Sequence, residues 1–311
     1  MTEDQERRQN LERILHSPSY RVAYKDVDFL TSPALRPSRM ELELLKAELA
    51  FQEHGVQSTI VVFGGTRIIE PALAEKKLER ARARLAETPR DLRRRRALAK
   101  AERLAAKAHY YDLAREFARL VSSACSTQGQ CDYVIVTGGG PGLMEAANRG
   151  AHDMGAKSVG LNIRLPMEQQ PNPFITPDLC FQFHYFAMRK FHFVLRAKAL
   201  AVFPGGFGTL DELFEVLTLR QTNRMQHIPI IVFGREYWQK AIDFQFLADE
   251  GTVDDEDLTC FATPTPPRRR GTSSASFTGS NVFAESGRIM AHTPESFYES
   301  RKARSFLCCE V

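Results

Sequence analysis

The chain has 311 residues, 43% of them hydrophobic and 26% charged, which supplies the core of one large domain or two ordinary ones and argues against a disordered acidic chain. Its net charge of +4 is uneven, because 13 Lys and Arg stand against 5 Asp and Glu between Ala74 and Lys107, a local +8, and the remainder sums to −4. Six cysteines form no C-x-x-C pair and no His stands at zinc spacing, so no disulfide framework or metal site is expected; MTEDQERRQNLERI lacks the apolar stretch of a signal peptide and no run reaches about 18 apolar residues, so a soluble cytoplasmic protein is expected, without a membrane.

Residues 1–55 carry apolar positions at helical spacing, such as Met40, Leu44 and Leu45, after breaks at Pro33 and Pro37; they predict a helical extension packed on the main domain. The character changes at Ser58. Thr59-Ile60-Val61-Val62-Phe63 reads as a buried strand feeding a glycine turn, Gly64-Gly65-Thr66-Arg67. From Pro71 to Ala124 the chain is rich in Ala, Leu, Arg and Glu and is broken once near Thr88-Pro89, which predicts two helices in an antiparallel hairpin. The run Arg93-Arg94-Arg95-Arg96 on the second helix reads as a solvated face; without interleaved aromatics or a nucleic-acid module, nucleic acid is not expected as a partner.

Further strands are predicted at 132–136, 158–163, near 179–183, at 199–203 and at 228–233, with helices between them, one from about Phe186 through Ala197. Strands that alternate with helices and are apolar on both faces predict a doubly wound α/β fold: a parallel, Rossmann-like sheet with N-terminal helices and a helical insertion over 71–124. The catalytic domain is placed at 56–258 and a tail at 259–311.

Three glycine turns fall at strand ends, FGGTR (63–67), TGGGPGLME (137–145) and PGGFGTLDE (204–212). Ligands of such sheets lie beyond the carboxyl ends of the strands, where glycines let the backbone approach an anion and helix N-termini offer unpaired N–H groups. Gly64, Gly65, Gly139, Gly140, Gly205, Gly206 and Gly208 are therefore candidates for binding a phosphate-bearing ligand, and Met188 and Lys190 are further substrate-binding candidates. None of the turns is a G-x-G-x-x-G fingerprint or a Walker loop. Thr209 can cap its helix or bond the phosphate. Glu212 and Glu215, three residues apart, share a helical face near the ligand end, and Arg189, between Met188 and Lys190, stands 15 positions before Pro204.

The segment M-R-K followed at that spacing by P-G-G-x-G-T-x-x-E-x-x-E resembles the LOG ("Lonely Guy") family, as do FGGTR and GGGPGLMEAANRGA; the likeness spans about 58–257. The hairpin resembles the insertion of its longer bacterial members. Phe186-Ala187-Met188-Arg189-Lys190 departs from the short-form M-x-x-R-K, because here Met directly precedes Arg. The resemblance implies a homodimeric phosphoribohydrolase that cleaves the N-glycosidic bond of a nucleoside 5′-monophosphate, such as AMP or a cytokinin riboside 5′-monophosphate, to free base and ribose 5-phosphate. Arg189 and Glu212 take the family's catalytic positions. No cofactor is implied, and a lysine decarboxylase would need pyridoxal phosphate on an activated lysine that no glycine turn supplies.

Cleaving a glycosidic bond builds positive charge on the ribose, which a carboxylate stabilises, and Glu212 is assigned that role. Glu215 is expected to hold ribose hydroxyls or support Glu212, Arg189 to position the nucleotide, and the amides of Gly205, Gly206 and Gly208 with Thr209 to take the phosphate. The alternative is a non-catalytic nucleotide sensor or carrier of the same fold. From Ala262 the chain turns Pro-, Arg- and Ser-rich with no apolar period. The run Pro266–Gly279 can be encoded so that the frame displaced by one base reads PEEAWDVIRKLHG, an amphipathic helix. The last 45 to 50 residues or so are therefore expected to be a frame-shifted, functionless tail, its Cys308-Cys309 pair incidental.

Overall fold

A computed structural model of the protein describes residues 2–123, 133–165 and 170–260, so the tail from Ala262 lies outside the described residues. The chain divides into two compact units, Met1–Leu49 and Ala50–Val311. The first unit holds α1 (Glu3–His16), α2 (Val27–Thr31) and most of α3 (Arg36–Glu53), whose last turn belongs to the second. Asp26 caps α2 by accepting from Phe29 N–H, and Arg39 ties α2 to α3 by donating to the carbonyls of Leu30 and Ser32.

The second unit is built on six parallel strands, β1 (Thr59–Phe63), β2 (Val134–Thr137), β3 (Ser158–Ile163), β4 (Cys180–Phe183), β5 (Ala197–Val202) and β6 (Ile230–Val232), in the order β4-β3-β2-β1-β5-β6. Strands β1, β2 and β6 are buried throughout, as their unbroken β-branched runs require of a sheet covered on both faces. The helices are α4 (Pro71–Glu87), α5 (Leu92–Ala105), α6 (His109–Ser123), α7 (Leu143–Asp153), α8 (Phe186–Leu195), α9 (Phe207–Gln221), α10 (Arg235–Ala241) and α11 (Phe244–Asp249). None of the described helices is long and apolar enough to cross a membrane.

On one face, Ile60, Val62, Ile135, Ala199, Ala201 and Phe203 pack with Tyr111, Phe117, Leu143 and Ala147 of α6 and α7 in one buried cluster. Small residues let these two helices approach closely: a Cβ on Gly150 would stand 2.2 Å from the Arg115 carbonyl oxygen. Arg115 then clamps Asp153 with two hydrogen bonds of 2.6 and 2.9 Å. On the other face Phe63 meets Phe193 of α8 edge-on, with centroids 4.8 Å apart.

Where the sequence pattern predicts two helices between 71 and 124, the structure has three. The break at Thr88-Pro89 is in place and Asp91 caps α5 by accepting from the N–H groups of Arg93 and Arg94. A second break falls at 106–108, in Ala-Lys-Ala, which contains no helix breaker. It is imposed by packing, because α6 must turn its apolar side, Tyr111, Ala114, Phe117, Ala118 and Val121, onto the sheet while α5 pairs with α4. Strand β5 likewise starts two residues earlier than its apolar run suggests, at Ala197, with Lys198 exposed.

Candidate active site

The strand order reverses between β1 and β5, so the crevice beyond their carboxyl ends is where a ligand of this fold sits. The three glycine turns converge there. Gly65 N–H donates to the Pro204 carbonyl at 3.0 Å, joining the first turn to the third. Gly142, at φ +75°, joins the second to the first: a Cβ there would stand 2.7 Å from the carbonyl oxygens of Gly65 and Thr66. Gly64 serves packing instead, since a Cβ on it would stand 2.7 Å from Leu143 Cδ1 inside the core.

The second turn is held by a buried polar network. Gly139, at φ +72°, donates its N–H to Thr137 Oγ1, which donates to Asn148 Oδ1 at 2.7 Å. Asn172 closes the network from the β3–β4 loop, its amide nitrogen lying 3.2, 3.1 and 2.9 Å from the acceptors Gly139 O, Gly140 O and Asn148 Oδ1. These bonds fix the carbonyls of Gly139 and Gly140 inside the buried network.

In the third turn Gly206, Phe207 and Gly208 are exposed, and both glycines have open space where a Cβ would project. Because the first intrahelical bond of α9 runs from Leu210 N–H to Gly206 O, the N–H groups of Phe207, Gly208 and Thr209 have no intrahelical acceptor. This is an anion cradle with the helix dipole behind it. Thr209 is the third residue of α9 and makes no capping hydrogen bond, so the capping role open to it in sequence is not the one it has. It lies folded over Gly205, whose absent Cβ would be 2.1 Å from Thr209 Oγ1. The Gly205 carbonyl accepts from the hydroxyl of Tyr237 on α10.

Arg189 enters from the first turn of α8. Its Nε donates to the Leu161 carbonyl at 2.9 Å, its guanidinium lies 5.2 Å from the Phe193 ring centroid, and Nη2 points at Gly138. Burial lowers its pKa, opposed by the charges of Glu212 and Asp211. Glu212, on α9, is 4% exposed, and no hydrogen bond or ion pair among the described residues engages its carboxylate. Burial pushes its pKa up to about 7; Arg189 and Lys190 pull it down, and Glu215 and Asp211 add to the rise.

Glu215 lies beside Lys190. Lys190 Nζ lies 2.8 Å from Asp211 Oδ1 and 3.5 Å from Glu215 Oε2, so Glu215 faces a cation of its own chain. Burial works to lower the Lys190 pKa, but the bond to Asp211 and the charges of Glu215 and Glu212 outweigh it and the net shift is upward. Met188 is half-buried, and the thioether against the second turn belongs to Met144, whose Sδ is 2.9 Å from a Cβ placed on Gly138.

Sequence reasoning passed over Gly138, Asn148, Asn172 and Tyr237. Gly138 stands inside TGGGPGLME, but its neighbour Arg189 comes from another element. Asn172 sits between two prolines in a loop, where a polar residue reads as solvent-exposed, yet it is 6% exposed.

A family described as "possible lysine decarboxylase" matches residues 144–268, from the second turn's helix through α8, the third turn and α9. The match covers less than half of the 311 residues and agrees with the LOG resemblance of the motifs in that stretch. The match runs past the described residues to 268. No curated protein matches the chain. Among solved structures, the X-ray structure of TM1055 is 20% identical over 56% of this chain and 72% of its own, with a TM-score of 0.34. A molybdenum cofactor binding protein from the phototrophic bacterium Rippkaea orientalis is 18% identical over 58% of this chain and 88% of its own, with a TM-score of 0.37. Similarity at that level carries no argument about this chain's ligand.

Proposed function

We propose that this protein is a phosphoribohydrolase of the LOG family, acting on a nucleoside 5′-monophosphate such as AMP or a cytokinin riboside 5′-monophosphate, with Arg189 and Glu212 as catalytic residues. The observation that carries the reading is a buried carboxylate without a protein partner, with a pKa near 7, in the field of a guanidinium fixed by a backbone carbonyl and an aromatic face. In this mechanism the 5′-phosphate rests on the free amides at the start of α9 with Thr209. The bond between C1′ and the base nitrogen lengthens, the ribose ring becomes cationic, and the Glu212 carboxylate stabilises it. The base leaves with the bonding electrons, water adds its oxygen to C1′ and gives a proton to Glu212, and that proton passes by way of solvent to the departed base, which restores the carboxylate and leaves free base and ribose 5-phosphate. Arg189 holds phosphate or ribose oxygens through its fixed fork of donors.

The decarboxylase description of the family fits these residues poorly. Imine chemistry with pyridoxal phosphate needs a lysine that gives up its proton, whereas Lys190 is held as an ammonium by Asp211 and Glu215. The proposed enzyme acts as a homodimer. Helix α9 buries Leu213 and Val216 and leaves Leu210, Phe214 and Leu219 around a groove of about 390 Å³ also lined by Lys190 and Glu215, and a second copy covering it would shield apolar surface next to the site.

The test is to incubate the full chain with a panel of nucleoside 5′-monophosphates and separate the products by chromatography. Release of free base with equimolar ribose 5-phosphate is expected from at least one. Binding without release from any would favour the nucleotide carrier.

A further inference from the structure

The four consecutive arginines 93–96 look equivalent in sequence, but the structure divides them. Arg94 turns inward, bonding the Arg84 carbonyl and Glu87 Oε2 (2.8 Å), and Arg95 Nε donates to the Pro89 carbonyl at 2.9 Å; both serve the α4–α5 turn. Arg93 and Arg96 stay exposed and continue into exposed Lys100 and Arg103. The spacing 93, 96, 100, 103 keeps all four on one side of α5, and no ion pair or hydrogen bond among the described residues engages their side chains. The acidic residue of α5, Glu102, projects away from this stripe.

We propose that this stripe is a docking surface for the phosphate backbone of duplex DNA, bound without sequence preference. Its shape separates this partner from others. Ten residues of helix set the charges along about 15 Å, roughly one every 5 Å, in a straight line. A small polyphosphate needs a converging cradle, whereas a line of cations matches a linear polyanion. A membrane surface needs an apolar helix face to insert, but that side of α5, Leu98, Ala101 and Ala105, is partly buried. An acidic protein interface would centre on a cluster of aromatic or apolar anchors, and beside the stripe Leu92 is the one large apolar residue of α5 that is exposed, with no aromatic near it in the helix. Single strands are gripped by stacking on aromatics, which are missing for the same reason. The major groove of B-form DNA admits an α-helix with phosphates on either side, while that of A-form RNA is too narrow. This surface is independent of the glycosidic site, so the failure of either proposal leaves the other standing.

The experiment measures binding of the full chain to a fluorescent DNA duplex of about 20 base pairs by anisotropy across salt concentrations. Four phosphate contacts predict a slope of log K against log salt of about −3.6, a loss of roughly 100-fold between 50 and 200 mM salt. The combined variant Arg93→Gln, Arg96→Gln, Lys100→Gln and Arg103→Gln, with every other basic residue in place and helicity checked by circular dichroism, is expected to lose at least 10-fold in affinity and most of that slope. Its nucleotide hydrolysis should be unchanged. No binding at 50 mM salt, unaltered binding by the variant, or tighter binding to an RNA duplex or to phosphatidylserine vesicles would each overturn the proposal.

Discussion

Any side chain at position 138 would put its Cβ 2.9 Å from Arg189 Nη2, so the absence of a side chain at Gly138 is what lets the guanidinium lie against the second glycine turn. The atoms in the way, Arg189 Nη2 and Met144 Sδ, are ends of flexible side chains that can shift. Gly138→Ala is therefore expected to displace Arg189 with little loss of stability. Turnover should fall by about 10- to 100-fold while the melting temperature changes by no more than a few degrees. Wild-type turnover in this variant would show that Arg189 need not occupy that position.

Glu212→Gln separates catalysis from stability. Turnover should drop at least ~100-fold, the scale of a lost transition-state contact. The carboxyl has a pKa of about 7 when folded against 4.5 ordinarily, so the folded state holds the proton more tightly. Wild-type stability therefore falls as pH rises from about 4.5 to about 7 and then levels off. The variant has nothing to ionise and escapes that fall, exceeding wild type at pH 8 by on the order of 3 kcal/mol, or several degrees in melting temperature. Wild-type turnover should rise with pH through about 7 as the carboxylate forms. A variant that is slower but no more stable at pH 8 would show that the carboxyl is not strained by burial.

The phosphate cradle predicts a dependence on substrate form. Adenosine, lacking the anion that the α9 amides and dipole attract, should show kcat/KM at least ~100-fold below that of AMP if AMP is a substrate. Comparable values for the two would remove the phosphate from the third turn.

Asn172→Ala removes the side-chain donor to Gly139 O, Gly140 O and Asn148 Oδ1; Gly139 O keeps the backbone N–H of residue 172 and Asn148 Oδ1 keeps the Thr137 hydroxyl, so Gly140 O is the acceptor that loses its donor. One buried acceptor stripped of its partner, with two others weakened, costs about 1–3 kcal/mol, measurable by urea denaturation. Asn172→Asp, which offers no donor when ionised, should do no better, whereas a variant as stable as wild type would mean that water replaces the amide.

The covered-groove reading of α9 predicts a dimer by light scattering at micromolar concentration, and Phe214→Glu, placed on the groove's apolar rim, should shift it toward monomer. A monomeric wild type would count against the second copy.

Most of the sheet was legible in the chain because strands buried on both faces must be continuous apolar runs, and Thr59–Phe63 and Ile230–Val232 occur where those runs stand. The glycine turns were legible for a related reason: backbone that must approach a neighbour or take positive φ tolerates few residues other than glycine, as at Gly139 and Gly142. What each turn does was decided in three dimensions. Gly64 and Gly206 look alike in sequence, yet one is shut by Leu143 and Phe203 and the other opens to solvent, because the difference lies in atoms brought from distant elements. The second helix break, at 106–108, has no local signal, since it arises from the mismatch between the face α6 gives to the sheet and the face α5 gives to α4. The division of the arginine run and the capture of Glu215 by Lys190 are of the same kind. Sequence by itself determined which segments are buried and where the backbone must bend, both governed by neighbours along the chain; only the tertiary structure decided which charges are paired, spare or desolvated, because a charge's state depends on whatever the fold brings within a few ångströms of it.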